Sequence, residues 1–195
     1  MQIETLTNFI INRQSLFSNQ MEEGASIEKD LIWSLLKLAN YAPSHRRTQP
    51  WRFRVFHEES KNIFFTDLAN LYKETTNIEL YDENKYKKIA NKSSSISTVI
   101  AICMKRCSKE SVPVFEEEYA VACAVQNILL GMKPLGIIGY WSTPKMAFTS
   151  EMKAYLELDK EDKCMGFLQL GLPKQGLPEI PQKQNDPIEL KVTWH

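Results

Sequence analysis

The sequence predicts a single layered α/β domain, residues 1–195, with about four to five strands. Three observations carry this. Segments of strand character, such as WRFRVF at 51–56 and ISTVIAICM at 96–104, are interleaved with segments of helical spacing along the whole chain. No internal repeat and no linker divides it. A length of 195 residues suits one domain that buries its own core.

The elements follow in order. Residues 5–12 read as a short helix with Leu6, Phe9 and Ile10 on one side. Ser26 is a candidate cap for a stronger helix carrying Ile27, Leu31, Leu35 and Leu38, which Ala42-Pro43 stops. A polar loop at 44–50 precedes a strand with Trp51, Phe53 and Val55 on one face. Two helices are expected at 60–73 and 82–91. The run at 96–104 is apolar without a break, as in a strand covered on both faces. Residues 115–135 read as a long helix, apolar nearly all round, which belongs in a deep core or between subunits. Gly136 ends it. A short strand at 137–141, a helix opened by Thr149 or Ser150 and a strand at 164–173 follow. The arm from 174 to 187 is rich in Pro and Gln and reads as extended. Residues 188–194 alternate, as in a last strand. Reached by such an arm, that strand either joins its own sheet or adds to the edge of a neighbour's.

Composition excludes several functions. Twenty-four Lys+Arg match 24 Asp+Glu, so the formal net charge is +0 and no basic excess points to nucleic acid. The N-terminus has neither the basic region nor the apolar core of a signal peptide, and no stretch is long enough to span a membrane. Cys103, Cys107, Cys123 and Cys164 lack the CxxC spacing of redox or zinc motifs, no His cluster lies nearby, and no metal site is expected. Four buried, reduced thiols suit a cytoplasmic protein.

The densest polar feature is the loop Ser44-His45-Arg46-Arg47-Thr48-Gln49-Pro50. Its donors suit an anion or a polar ring edge; the competing reading is a solvated turn. Asn12-Arg13-Gln14-Ser15 could hold one phosphate if extended, or be ordinary surface. His57 and His195 lack sequence partners and are expected at the surface. No Gly-rich phosphate loop, GxSxG or HExxH is present, and no acid–base or nucleophilic machinery is evident. Chemistry would then come from a cofactor.

Taken together, four segments resemble the FMN-dependent nitroreductase family: INRQS, APSHRRTQPWRFRVF, the long helix running into GIIGYWST, and CMGFLQLGLPKQG. The short length and His45 point to its NAD(P)H nitroreductase subgroup. The resemblance implies an α+β sandwich with a central, mostly antiparallel sheet flanked by helices. It implies an FMN-bound homodimer with its C-terminal strand exchanged and the cofactor between subunits. Arg13, Gln14 and Ser15 would hold the FMN phosphate, aided by Lys183. His45, Arg47 and Gln49 would face the ring and ribityl chain. Trp141, Ser142 and Thr143 would touch the flavin from the other side. NAD(P)H would deliver a hydride that passes to a small-molecule acceptor, a nitroaromatic or quinone, by a ping-pong cycle. Two family cations are missing, replaced by Gln14 and Phe17, and Arg47 is the candidate to restore the charge that favours the reduced ring. Dehalogenation, flavin breakdown or flavin binding without turnover are the competing functions.

Overall fold

Strand β2, Thr98–Met104, runs through the centre of the molecule, and every one of its residues is buried. Successive side chains alternate across a strand. Val99, Ala101 and Cys103 therefore enter one core, and Ile100, Ile102 and Met104 enter the other. This is why the run TVIAICM is apolar without interruption. The structure, a computed structural model, describes residues 2–108, 111–178 and 185–195.

Around β2 lie β1 (Trp51–His57), β3 (Ile138–Ser142) and β4 (Lys163–Gly171). The order is β1-β2-β4-β3, and each neighbouring pair is antiparallel. This is the antiparallel α+β sandwich that the family resemblance implies. On one face lie α3 (Glu59–Thr75) and α6 (Ser150–Tyr155), which pack Phe64, Phe65, Leu68 and Met152 with Val99 and Phe167. On the other lie α2 (Lys29–Ala39) and α5 (Val114–Met132), which pack Leu35, Val121, Ala124 and Ile128 with Ile100 and Leu168. Burying each such side chain is worth roughly 1.5–3 kcal/mol. The shorter α4 (Glu83–Ala90) is capped by Asp82, whose carboxylate accepts from the Asn84 amide. Helix α1 (Ile3–Ile11) has no buried residue.

A buried ion pair ties Arg106, just after β2, to α5. Glu117, 1% exposed, accepts from the Arg106 guanidinium at 2.5 Å and from the Cys107 amide at 3.2 Å. Arg106 also donates to the Val112 carbonyl.

Several expectations need correction. Helix α2 starts at Lys29, so Ser26 is not its cap. The Ile27 amide instead donates to the Ser97 hydroxyl at 2.7 Å, which ties the preceding residues to β2 and delays the helix. The expected last strand at 188–194 is not formed within one chain: Ile188–Lys191 make a 3-10 turn, and the described tail beyond it is exposed. A strand needs a neighbouring edge, and the tail meets none of its own. Cys103 and Cys164 are buried, but Cys107 is half-buried and Cys123 exposed, because Cys123 lies on the α5 face that turns away from the sheet. His57 is half-buried and pairs through Nδ1 with Thr98 Oγ1 at 2.9 Å.

Gly139 shows how tightly the sheet is covered at its β3 edge. A Cβ there would lie 2.5 Å from the Gln169 carbonyl oxygen and 3.3 Å from the Leu170 Cα, both backbone atoms. Overpacking of this kind costs about 1–3 kcal/mol. Gly139→Ala is therefore expected to lower the urea midpoint with the slope unchanged. An unaltered midpoint would show that β3 has slack at this position.

Candidate functional site

The loop between α2 and β1 is held at both ends. Trp51 Nε1 donates to Asn40 Oδ1 at 3.3 Å, and the Pro50 carbonyl accepts from the Lys105 amide at 2.8 Å. Between these anchors the backbone turns sharply. Arg46, Arg47 and Gln49 have φ of 49°, 53° and 47°, in the left-handed region. Non-glycine residues there cost about 1–2 kcal/mol each, and such conformations cluster at functional sites. Internal hydrogen bonds hold the turn: the Gln49 amide donates to Ser44 Oγ at 3.1 Å and the Thr48 amide to the His45 carbonyl at 3.2 Å. His45 Nδ1 lies 3.3 Å from Glu116 Oε2 at the start of α5. Thr48 Oγ1 is buried and has no hydrogen-bond partner among the described residues. Arg47 and Gln49 are exposed.

A second group gathers where α5 ends. The chain after α1 runs along β3, with the Leu16 amide donating to the Gly139 carbonyl at 3.2 Å. Lys133 Nζ donates to Asn12 Oδ1 at 3.2 Å. Arg13 and Gln14 line an open groove of about 720 Å³ with Met132, Ile137 and Pro173. Arg13 is half-buried, and no carboxylate pairs with it among the described residues. Ser15 is exposed, and the Phe17 ring lies 4.9 Å from that of Tyr140.

These two groups sit at opposite ends of α5. His45 meets Glu116 at one end, and Asn12 meets Lys133 at the other. At 1.5 Å per residue the separation is about 25 Å. Trp141, Ser142 and Thr143 lie between the two groups by sheet register. Ser142 pairs with Phe167 midway along β4, level with Ala101 and Arg54 at the middle of β2 and β1, and β3 ends there on its way toward the end where Lys163 pairs with Met104 and Met104 with Trp51. Trp141 Nε1 donates to the Met165 carbonyl at 2.9 Å. Gly166, at φ 108°, lets β3 approach: a Cβ there would lie 2.5 Å from the Ser142 carbonyl oxygen. One chain thus brings His45, Arg47 and Gln49 together in one loop, and β3 carries Trp141, Ser142 and Thr143 from mid-sheet toward that end. It leaves Arg13, Gln14 and Ser15 at the other end. Lys183 lies outside the described residues.

Lys92 was not singled out from the sequence. Its ammonium donates to the Tyr140 hydroxyl at 3.3 Å and to Gln169 Oε1 at 3.4 Å, and Tyr140 donates to the same Gln169 oxygen at 2.6 Å. Gln169 Nε2 in turn donates to Ser142 Oγ at 2.8 Å. No carboxylate pairs with Lys92 among the described residues. Burial lowers its pKa, and the Lys88 charge adds to this. Burial also pushes the Tyr140 hydroxyl up to about 12. Phe17 and Lys92 therefore meet on one tyrosine, which sets Lys92 near the position where the family resemblance implies a cation. Nothing in the spacing of KSSS before β2 signals it.

Among the described residues, no cluster of His, Cys, Asp and Glu is placed to hold a metal ion, and no helix is long and apolar enough to cross a membrane.

Comparison with known proteins agrees with this architecture. The profile of the nitroreductase family matches residues 23–172. The chain belongs to the nitroreductase family. It is 26% identical over 165 residues to a protein of Escherichia coli strain K12 provisionally named NAD(P)H nitroreductase YdjA, covering 85% of this chain and 86% of that one. A nitroreductase-like family protein from Bacillus cereus superposes with a TM-score of 0.78 at 22% identity, over 97% of this chain and 95% of that one. A provisionally named nitroreductase from Desulfovibrio desulfuricans, solved in complex with FMN, superposes with a TM-score of 0.69 at 16% identity, over 97% and 96% of the two chains.

The lowered pKa of Lys92 yields a test of its burial. At neutral pH the folded protein holds a charge that burial disfavours. As pH rises toward the ordinary value of 10.5, the native state loses this proton before the unfolded chain does. Stability then shifts toward the native state, because the unfolded state binds more protons. Lys92→Met lacks this contribution. The stability of the wild type relative to Lys92→Met is expected to increase with pH over this window in urea unfolding. A difference that does not change with pH would contradict the burial.

Proposed function

We propose that the protein is an FMN-dependent oxidoreductase that works as a homodimer, with each cofactor bound between two copies. The observation that carries this is the 25 Å separation, about the length of α5, between two donor groups that each face open space. A cofactor that needs both groups must take one from each copy. Family membership and the FMN complex of the Desulfovibrio relative support the cofactor.

The surface of one chain suits a second copy. Along α5, Phe115 and Tyr119 are 52% and 65% exposed, and Cys123 continues the same stripe one turn on. Phe9 and Ile10 of α1 are exposed, as are Ile188, Leu190 and Trp194 of the tail. Among the described residues the outer edge of β1 has no strand partner, whereas the β3 edge is met by Leu16. We assign the alternating tail of one copy to the bare β1 edge of the other.

The side chains fit flavin mononucleotide. Arg13, with Gln14 and Ser15, would hold its phosphate by charge-assisted hydrogen bonds, with Lys183 as a further candidate. His45, Arg47 and Gln49 would border the ring and ribityl chain, where the orphaned Thr48 hydroxyl offers another donor. Trp141, Ser142 and Thr143 would close the site from the end of β3. When bound, the flavin would take a hydride from NAD(P)H and pass it to a nitroaromatic, a quinone or a similar acceptor by a ping-pong cycle. The protein binds, orients and supplies charge. We assign that charge first to Lys92, held by Tyr140 and Gln169 beside the position where Phe17 has replaced a cation. The four free cysteines suit a reducing cytoplasm.

The purified protein is expected to be yellow with visible flavin bands that bleach anaerobically with NADPH or NADH and return with a nitroaromatic or quinone. Lys92→Gln is expected to lower the flavin midpoint potential by about 30 mV, the equivalent of about 1.4 kcal/mol for a two-electron couple. A colourless protein that takes up no added FMN would overturn the flavin reading. A potential unmoved in Lys92→Gln, but lowered in Arg47→Ala, would return the electrostatic role to Arg47.

A further inference from the structure

The formal net charge of +0 conceals an unmatched positive patch. At the start of α5 each carboxylate already faces a basic side chain. Glu116 meets His45 at 3.3 Å, Glu117 holds Arg106 at 2.5 Å, and Glu118 meets Lys163. Nearby, Lys105 meets Asp159 at 3.6 Å. Arg46 and Arg47 remain. Arg46 Nη1 donates only to a neutral oxygen, Ser111 Oγ, at 2.8 Å. Arg47 is exposed, and no carboxylate pairs with it among the described residues. At the base of the same loop, Arg52 Nη1 donates to the backbone carbonyls of Gln49 and Trp51, a third guanidinium with no paired carboxylate among the described residues. The two arginines are consecutive and both left-handed, with φ of 49° and 53°, and belong to one tight turn. The turn is fixed in advance by the Ser44 and His45 hydrogen bonds, which reduces the ordering a ligand would have to impose.

Resting on the flavoprotein reading above, we propose that Arg46 and Arg47 form an anion site at the rim of the cofactor cavity. This site grips a phosphate monoester on the incoming electron donor. The chain then selects a nicotinamide dinucleotide that carries a 2′-phosphate over one that lacks it. A phosphate monoester brings a charge of about −1.5 to −2 at neutral pH and three acceptor oxygens. Two guanidinium groups match that number of acceptors with forked donors, whereas a single carboxylate engages one fork. The loop also carries His45 and Gln49, which the proposed function sets beside the cofactor, so one loop would serve both the cofactor and the donor's phosphate.

The test uses the holoenzyme and steady-state kinetics with NADPH and NADH, for the wild type and the double variant Arg46→Gln/Arg47→Gln. The wild type is expected to favour NADPH. The double variant is expected to lower the NADPH-to-NADH ratio of kcat/KM by about tenfold or more, the size of a lost charge-assisted hydrogen bond, through KM for NADPH. Arg46→Lys/Arg47→Lys is expected to restore part of it. A second measurement needs no turnover: 2′,5′-ADP is expected to bind the wild type by calorimetry more tightly than 5′-AMP, and the double variant to lose that difference. An unmoved ratio together with equal binding of the two nucleotides overturns the site. A ratio that stays put while KM rises for 4-nitrobenzoate, but not for 4-nitrobenzyl alcohol, overturns the donor assignment and gives the anion site to the acceptor. A protein that binds no flavin yet distinguishes the two nucleotides through Arg46 and Arg47 keeps the anion site and removes the flavoprotein reading.

Discussion

Helix α5 is the constraint on which the rest of the structure depends. Its inner face, with Val121, Ala124 and Ile128, packs against Ile100 and Leu168 and fixes it to the sheet. Its first turn anchors the arginine-rich loop through Glu116 and the β2–α5 connection through Glu117. Just past its end, Lys133 anchors the segment that carries Arg13. A helix is a rigid spacer, and this one sets the distance between the two donor groups. Its outer face, with Phe115, Tyr119 and Cys123, has no cover within the chain. Spacer and surface thus both support the proposal of a cofactor site shared between two copies.

The electrostatic arrangement follows the same layout. Carboxylates concentrate at the start of α5, where the helix dipole favours them; Glu117 and Glu118 pair with Arg106 and Lys163, and Glu116 faces His45. Arg13, Lys92, Arg46 and Arg47 have no paired carboxylate among the described residues, and each lies in a segment tied to the proposed site. A neutral sum with unpaired positive terms at these places suits a ligand that brings a phosphate and an electron-accepting ring. Lys92 is the most constrained of the four, because its environment lowers its pKa while Tyr140 and Gln169 hold its position.

Much of this was legible in the sequence, for identifiable reasons. The unbroken apolar run of β2 follows from burial on both faces. The loop at 44–50 stood out because proline and polar residues bracket it between a helix and an alternating strand. Its left-handed backbone was not legible, because Arg46, Arg47 and Gln49 carry none of the glycine signal of such conformations. The start of α2 was misjudged because the competing bond, from Ile27 to Ser97, spans 70 residues. Lys92 was missed for the same reason: its partners Tyr140 and Gln169 lie 48 and 77 residues away. The final strand was expected from its alternation, yet a strand forms only where an edge receives it, and one chain offers its tail none.

The most direct test of the shared site is a hybrid dimer. Arg13→Ala removes a donor from one group and Gln49→Ala from the other, and each variant alone is expected to bind FMN weakly. When the two are co-expressed with different tags and the mixed dimer is isolated, one of its two sites combines the native Arg13 of one chain with the native Gln49 of the other. The account predicts recovery of tight FMN binding at half of the sites. A hybrid that binds no better than either parent would place both groups in the same chain's site and contradict the account.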